Sequence, residues 1–412
     1  MVEQRFCKAK VGGPNPLLGS NDTMSLTKIV VTVGPAVEEK NILCSLIKAG
    51  ASIFRFNLKY NTHRWHSNLI QKLKEAVEMT GQPVAILLDF PGTARKISFP
   101  ALLTKNLKDL SLAAKHDADF LALSFVRNRK DIEFLKKQAK KFSLSARILA
   151  KIETRQALDN FEEILDSADG IMVARGDLGK EIPFEEVPYY QKKIIKRCAE
   201  MGKPVITATE MLESMVDNPF PTRAEVSDVA NAILDRTDAV MLSAETATGK
   251  YPIKAVSVME KVCRFWEGKR PPVSGFNFDF RHQAAAICYS AYQLWMSPFY
   301  QKEKVKAFVV LTEGGLTAQM LARLRPDLPI FVLTQDKKLR DRLCLVYGVT
   351  PLLLEEGGGN FYRKRSPEDI TKILVQIKKN SRIKKGEKII FIYAEDWGTL
   401  GRTNILRIQE VP

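Results

Sequence analysis

Lys151-Ile152-Glu153 and Arg175-Gly176-Asp177 are the runs of this chain best suited to chemistry. Each follows a short apolar run, Ile148–Ala150 in one case and Gly170–Ala174 in the other. An apolar run that stops at charge reads as a buried parallel strand presenting polar groups at the carboxyl edge of its sheet. An ammonium with two carboxylates suits a divalent metal beside a phosphate or enolate, and suits a hydrophobic core poorly. Glu153 and Asp177 offer hard oxygen ligands for Mg²⁺. Lys151 and Arg55 are cations fit for a transferring phosphoryl group, where positioning and charge stabilisation do most of the work. The amides of Gly176 and Asp177, at a helix start, could cradle a small anion. Thr209 could bind a carboxylate or pass a proton.

Such groups need a scaffold that makes strand ends converge. From Thr27 to about Glu260, β-branched runs alternate with amphipathic stretches. The runs are Lys28–Val33, Ser52–Phe56, Val84–Leu88, Phe120–Leu123, Arg147–Ile152, Gly170–Val173, Pro204–Ile206 and Ala239–Leu242. Strand–helix alternation implies right-handed parallel units, and eight of them match a (β/α)₈ barrel; an open doubly wound sheet is the alternative. Reading the strand ends adds Asn57, Asp89, Glu210, Ser243 and Glu245 to the polar set. Gly268–Gly275 is rich in Pro and Gly and reads as a boundary. Val305–Thr312, Ile330–Thr334 and Ile389–Tyr393 read as strands of a smaller α/β domain. The expected division is an N-terminal segment over 1–24, the barrel over 25–266, a linker over 267–278 and the α/β domain over 279–412. Thr312, Gly314, Gly315 and Thr317 lie between strand and helix, either as a phosphate cradle or as an ordinary turn.

The chain has 412 residues and a formal net charge of +16, which favours anionic ligands. Without a helix-turn-helix, zinc or aromatic-plus-basic motif, the charge reads as a solvated basic surface, and nucleic acid is not the expected partner. No apolar run is long enough to span a bilayer, and no signal peptide is evident, so a cytoplasmic location is expected. The six cysteines have no ligand spacing and read as reduced, mostly buried thiols.

Longer segments carry a family resemblance. Thr27–Ala36 (TKIVVTVGPA), Leu149–Glu153 (LAKIE), Asp169–Gly179 (DGIMVARGDLG), Gly202–Met215 (GKPVITATEMLESM), Pro221–Ala232 and Met241–Pro252 resemble pyruvate kinase, in that family's order. Ala307–Ala322 and Gly401–Asn404 resemble its C-terminal domain. The resemblance implies phosphoryl transfer from phosphoenolpyruvate to ADP with Mg²⁺, giving pyruvate and ATP. It places the catalytic lysine on Lys151, the Mg²⁺ carboxylates on Glu153 and Asp177, and the phosphate-binding arginine on Arg55. The substrate carboxylate would meet Gly176 and Asp177, the proton relay falls on Thr209, and Asn57 and Ser243 line the substrate site. It also implies a homo-oligomer, with Pro221–Ala232 at an interface, and an effector region near Thr312–Thr317.

Three departures from that pattern stand out. The family inserts a lid of about a hundred residues after the third barrel strand, a common domain size, whereas here Asp89 is followed almost at once by the next helix. At the family's K⁺ site Asn57 and Asp89 remain, but Lys59 and Phe90 replace oxygen ligands, so the Lys59 ammonium either stands in for the ion or points to water. Where the family places a phosphate-contacting arginine, Lys96 stands at that offset with Arg95 beside it, and either or neither takes that role. Function is therefore expected to be a lidless phosphotransferase. The alternatives are a non-catalytic subunit with a protein partner, or a Mg²⁺-dependent enzyme acting on pyruvate enolate.

Overall fold

The structure is a computed structural model and describes residues 24–91, 107–271, 273–303, 305–354, 367–381, 383–395 and 402–412. Eight parallel strands close into a barrel in sequence order. They are β1 (Lys28–Thr32), β2 (Ala51–Asn57), β3 (Ala85–Phe90), β4 (Phe120–Leu123), β5 (Arg147–Ile152), β6 (Gly170–Ala174), β7 (Val205–Ala208) and β8 (Ala239–Leu242). The pairing of Lys28 with Ala239 through Val31 with Leu242 joins the last strand to the first. The barrel, and not the open sheet, is thus the architecture.

Side chains alternate across each strand, so one set fills the interior and the other meets the surrounding helices. Val30, Ile53, Leu87, Ala122, Leu149, Met172, Ile206 and Met241 form the inner core. Their neighbours, such as Ile29, Val31, Phe54, Leu88 and Ile148, pack outward against helices including Lys40–Lys48 and His63–Thr80. Cys344 and Leu345, from the second unit, belong to the inner cluster and plug its lower end. Gly34 follows β1, and a Cβ there would lie 2.4 Å from the carbonyl oxygen of Ala247, so only glycine allows this approach.

The second unit is a five-stranded sheet in the order β11-β10-β9-β12-β13. β9 (Ala307–Leu311), β10 (Ile330–Thr334) and β12 (Lys388–Tyr393) are the strands expected from sequence. β11 (Val349–Leu353) and β13 (Ile405–Glu410) are the two edges and were not expected. Pro351 hides the first, in keeping with proline's confinement to edge strands. Arg407, Gln409 and Glu410 dilute the apolar signal of the second, which pairs antiparallel to β12.

Two buried ion networks fasten the units together. Arg325 Nη2 lies 2.7 Å from Asp238 Oδ2, and Lys338 Nζ lies 3.1 Å from Asp119 Oδ1. The five cysteines among the described residues are buried and unpaired. No helix among those residues is long and apolar enough to cross a membrane.

Candidate active site

The inner register that places apolar side chains in the barrel floor places polar ones two residues further on. Val30 leads to Thr32, Ile53 to Arg55, Leu87 to Asp89, Ala122 to Ser124, Leu149 to Lys151 and Met241 to Ser243. A single alternation rule therefore builds both the core and the polar layer above it, at the carboxyl ends of the strands.

Four charges meet in that layer, each at most 8% exposed. Arg55 donates from Nε and Nη2 to Asp89 Oδ2, at 2.8 and 2.7 Å, and from Nη1 to Thr32 Oγ1 at 2.9 Å. Lys151 Nζ lies 2.8 Å from Glu153 Oε1 and 3.4 Å from Asp89 Oδ1, and donates to Ser124 Oγ at 2.9 Å. Ser124 passes its own hydrogen to the carbonyl of Phe90 at 2.9 Å. Glu153 Oε2 accepts from the Phe125 amide at 2.6 Å, and Phe125 is held at φ 52°.

Two cations and two carboxylates balance, yet their protonation energetics differ. Burial pushes the Asp89 carboxyl up, but Lys151 and Arg55 together outweigh it and hold it below the usual range. For Glu153 burial wins over Lys151, and its carboxyl is raised. Burial works against the Lys151 charge, yet Asp89 and Glu153 raise its affinity for the proton. Glu153 Oε1 is buried and lacks a well-directed hydrogen bond beyond the Lys151 ion pair. It is thus a hard oxygen with unused lone pairs, which fits a Mg²⁺ ligand.

Across the mouth, Gly176 donates its amide to Thr209 Oγ1 at 2.9 Å. Thr209 and Glu210 stand at φ 67° and 54°, the left-handed region that costs a β-branched residue most. Arg175 holds them there. It is buried, donates to the carbonyls of Thr209 (3.2 Å from Nε) and Glu210 (3.0 Å from Nη2), and pairs with Asp228 at 2.7 Å. Glu245 likewise supports backbone, accepting from the amides of Ser243 (2.7 Å) and Leu212 (3.1 Å). Ser243 Oγ is buried without a hydrogen-bond partner among the described residues.

Asp177 is half-exposed, with Lys180 Nζ 2.8 Å from Oδ1. Asn57 Oδ1 accepts from the Lys59 amide at 3.1 Å. The Lys59 ammonium is not brought to Asp89: it is exposed and lies 5.6 Å from the Tyr60 ring centroid. Phe90 is buried in the apolar core. Arg95 and Lys96 lie outside the described residues. In the second unit Thr312 Oγ1 accepts from the Gly315 amide at 2.9 Å, and Thr317 Oγ1 meets Thr403 Oγ1 at 2.6 Å, so both hydroxyls are engaged internally. Sequence reasoning passed over Ser124 and Thr32; applying the strand-end reading to the first and fourth strands would have found both.

Known proteins share this arrangement of sequence. The profile described as "Pyruvate kinase, barrel domain" matches residues 24–95 and 90–256, and "Pyruvate kinase, alpha/beta domain" matches residues 286–409. The pyruvate kinase of Thermotoga maritima is 31% identical, over 94% of this chain and 100% of that protein. That of Dictyostelium discoideum is 31% identical, over 94% of this chain and 95% of that protein. The chain belongs to the pyruvate kinase family. One difference within the family is one of length. The Thermotoga comparison runs over 477 positions, about 90 more than the 387 or so residues that 94% of 412 represents. The barrel profile breaks and resumes at residues 90–95, where only residues 91–106 separate β3 from the helix Leu107–His116.

Proposed function

We propose that this family member transfers the phosphoryl group of phosphoenolpyruvate to ADP, yielding pyruvate and ATP, without a lid domain. The observation that carries this reading is the buried cluster of Arg55, Asp89, Lys151 and Glu153 at the barrel mouth. Four buried charges give little stability over apolar residues of similar volume, so their retention is accounted for by a ligand. Glu153 and Asp177 would hold Mg²⁺, which supplies charge neutralisation at the substrate oxygens when bound. Lys151 and Arg55 orient the phosphoryl group and offset the negative charge that grows on it. Asp89 and Thr32 fix the Arg55 fork, and Ser124 fixes the Lys151 ammonium. The amides of Gly176 and Asp177 would take the substrate carboxylate, and Thr209, whose hydroxyl accepts from Gly176 and donates to the Ala208 carbonyl, would turn that proton toward the enolate carbon. A phosphoenolpyruvate-plus-ADP assay coupled to lactate dehydrogenase tests the reading. Turnover in the wild type that is lost in Lys151→Met supports it, and absence of turnover at saturating Mg²⁺ with K⁺ or Na⁺ removes it.

The shortened connection after β3 favours a second reading. With only residues 91–106 there, nothing of lid size covers the site, and the cluster would act on pyruvate enolate without a nucleotide. Deuterium uptake into the methyl group of pyruvate, in the absence of ADP, distinguishes that activity. Should both assays be silent, a non-catalytic role in an assembly is left, to be sought by pulldown.

A further inference from the structure

Asp177, the outer of the two carboxylates assigned to Mg²⁺, already carries a cation of this chain: Lys180 Nζ lies 2.8 Å from its Oδ1. The two residues share one tight stretch of backbone. Asp177 sits in the short helix Arg175–Leu178, the Gly179 amide donates to the Arg175 carbonyl at 2.8 Å, and the Lys180 amide donates to the Asp177 carbonyl at 3.2 Å. Ile182, buried just beyond, anchors the turn. The main chain is therefore held. The Lys180 side chain is not: it is 74% exposed, against 10% for Lys151.

The two lysines treat their carboxylates differently. Lys151 is locked by Glu153, Asp89 and Ser124, and cannot leave without stranding buried charge. The pair of Lys180 with Asp177 is open to water, and such pairs are weak because solvent replaces either partner at little cost. The four-carbon stem then gives the ammonium a wide reach. Glu210 and Glu153 attract the same ammonium through space. Glu210 borders the same turn, since a Cβ on Gly176 would lie 3.8 Å from its Oε1. An ammonium freed from Asp177 is thus still drawn toward the barrel mouth. A divalent ion would free it. The unused lone pairs of Glu153 Oε1 and the Asp177 carboxylate are hard ligands, and a double positive charge on Asp177 repels the ammonium resting there.

We propose that Lys180 is an exchangeable counter-ion, which rests on Asp177 until a divalent metal takes that carboxylate and then binds the phosphate chain of the nucleoside diphosphate. Given the Mg²⁺ site proposed above, on which this inference rests, the barrel itself supplies a cation for the nucleotide. It does so in a chain where only residues 91–106 separate β3 from the next helix. A point charge with three donors suits a phosphate chain whose pose it need not fix. The exchange also sets an order, metal before nucleotide.

Titration calorimetry on the full chain tests this, with Mg²⁺ and ADP as separate probes. Lys180→Met should bind Mg²⁺ about threefold more tightly, the size of a lost competing surface pair. At saturating Mg²⁺ it should bind ADP about tenfold more weakly, having lost a charge-assisted contact. In EDTA the two proteins should bind ADP within about twofold of each other, because the wild-type ammonium is then held by Asp177. Asp177→Asn frees the ammonium without any metal, so its ADP affinity in EDTA should rise, and Asp177→Asn/Lys180→Met should lose most of that rise. Lys180→Arg keeps the charge and should stay near wild type for both ligands. Loss of a merely structural contact would not tighten one ligand while loosening the other. Equal Mg²⁺ affinity in wild type and Lys180→Met overturns the inference, as does an ADP gain that persists in the double variant; the proposed phosphoryl transfer stands in either case. Mg²⁺ binding that survives in Asp177→Asn removes the metal site itself, and both readings fall together.

Discussion

Lys151 lies in β5 and Glu153 just beyond its end, two residues on, and their side chains meet at 2.8 Å inside the barrel mouth. Removing one partner strands the other. Lys151→Met keeps the stem but leaves Glu153, already raised by burial, without its cation. Stability is expected to fall by about 3–5 kcal/mol, as for other broken buried pairs. The double variant Lys151→Met/Glu153→Gln should lose less than the two single losses together. Urea unfolding of the four proteins gives the coupling energy; additivity would show that the pair does not interact.

The Thr209 hydroxyl accepts from the Gly176 amide at 2.9 Å and donates to the Ala208 carbonyl at 2.6 Å; in the proposed reaction it would hand that proton to the enolate carbon. Thr209→Val keeps the β-branched shape at φ 67° and deletes only the hydroxyl. Stability should drop by about 1–2 kcal/mol, since the hydroxyl accepts from Gly176 and donates to Ala208. Turnover should drop by ~10²-fold or more with little change in KM, because the hydroxyl acts after binding. A rise in KM with unchanged kcat would assign Thr209 to substrate binding instead.

Much of this was legible because a strand has period two. Once Leu149 is inside, Lys151 and Glu153 must follow it, and the same holds for Leu87 and Asp89. Where polar residues share a strand end, the sequence does not say which faces the pocket. Arg175 and Asp177 show this: the arginine turns into the scaffold and grips Asp228, and the aspartate reaches the surface beside Lys180. Lys59 shows the limit differently, since its stem is long enough for several directions and it settles over Tyr60. The edge strands β11 and β13 escaped notice because an edge needs no continuous apolar run.

Phe90 and Asp89 together bear on the monovalent-cation requirement. The Phe90 ring is packed in the core and offers no side-chain oxygen, while Asp89 is already neutralised by Arg55 and Lys151. A further cation has little charge left to bind. Turnover in Na⁺ alone, or in tetramethylammonium, is expected within about twofold of that in K⁺, since no unpaired carboxylate remains to attract the ion. Strict K⁺ dependence in the coupled assay would show that Asp89 changes partners when substrate binds.

Asp119 gives the junction between the two units a pH dependence. Its Oδ2 accepts from the Ile86 amide at 2.7 Å and its Oδ1 faces Lys338 at 3.1 Å. Burial pushes its carboxyl up to about 6 against the opposing pull of Lys338. The folded state therefore holds a proton that the unfolded chain releases near pH 4. Such a group stabilises most below the unfolded value, and its contribution is lost as pH rises from about 4 to about 6, by ~3 kcal/mol. Asp119→Asn cannot titrate, so the wild-type minus variant difference in unfolding free energy should fall across that window and be level above it. His116, pushed down to about 4 by burial with Lys74 and Lys115, works in the opposite sense over the same range. It is present in both proteins and cancels in the difference. Denaturant melts at half-unit pH steps measure the curve; a level difference would mean that Lys338 keeps Asp119 charged throughout.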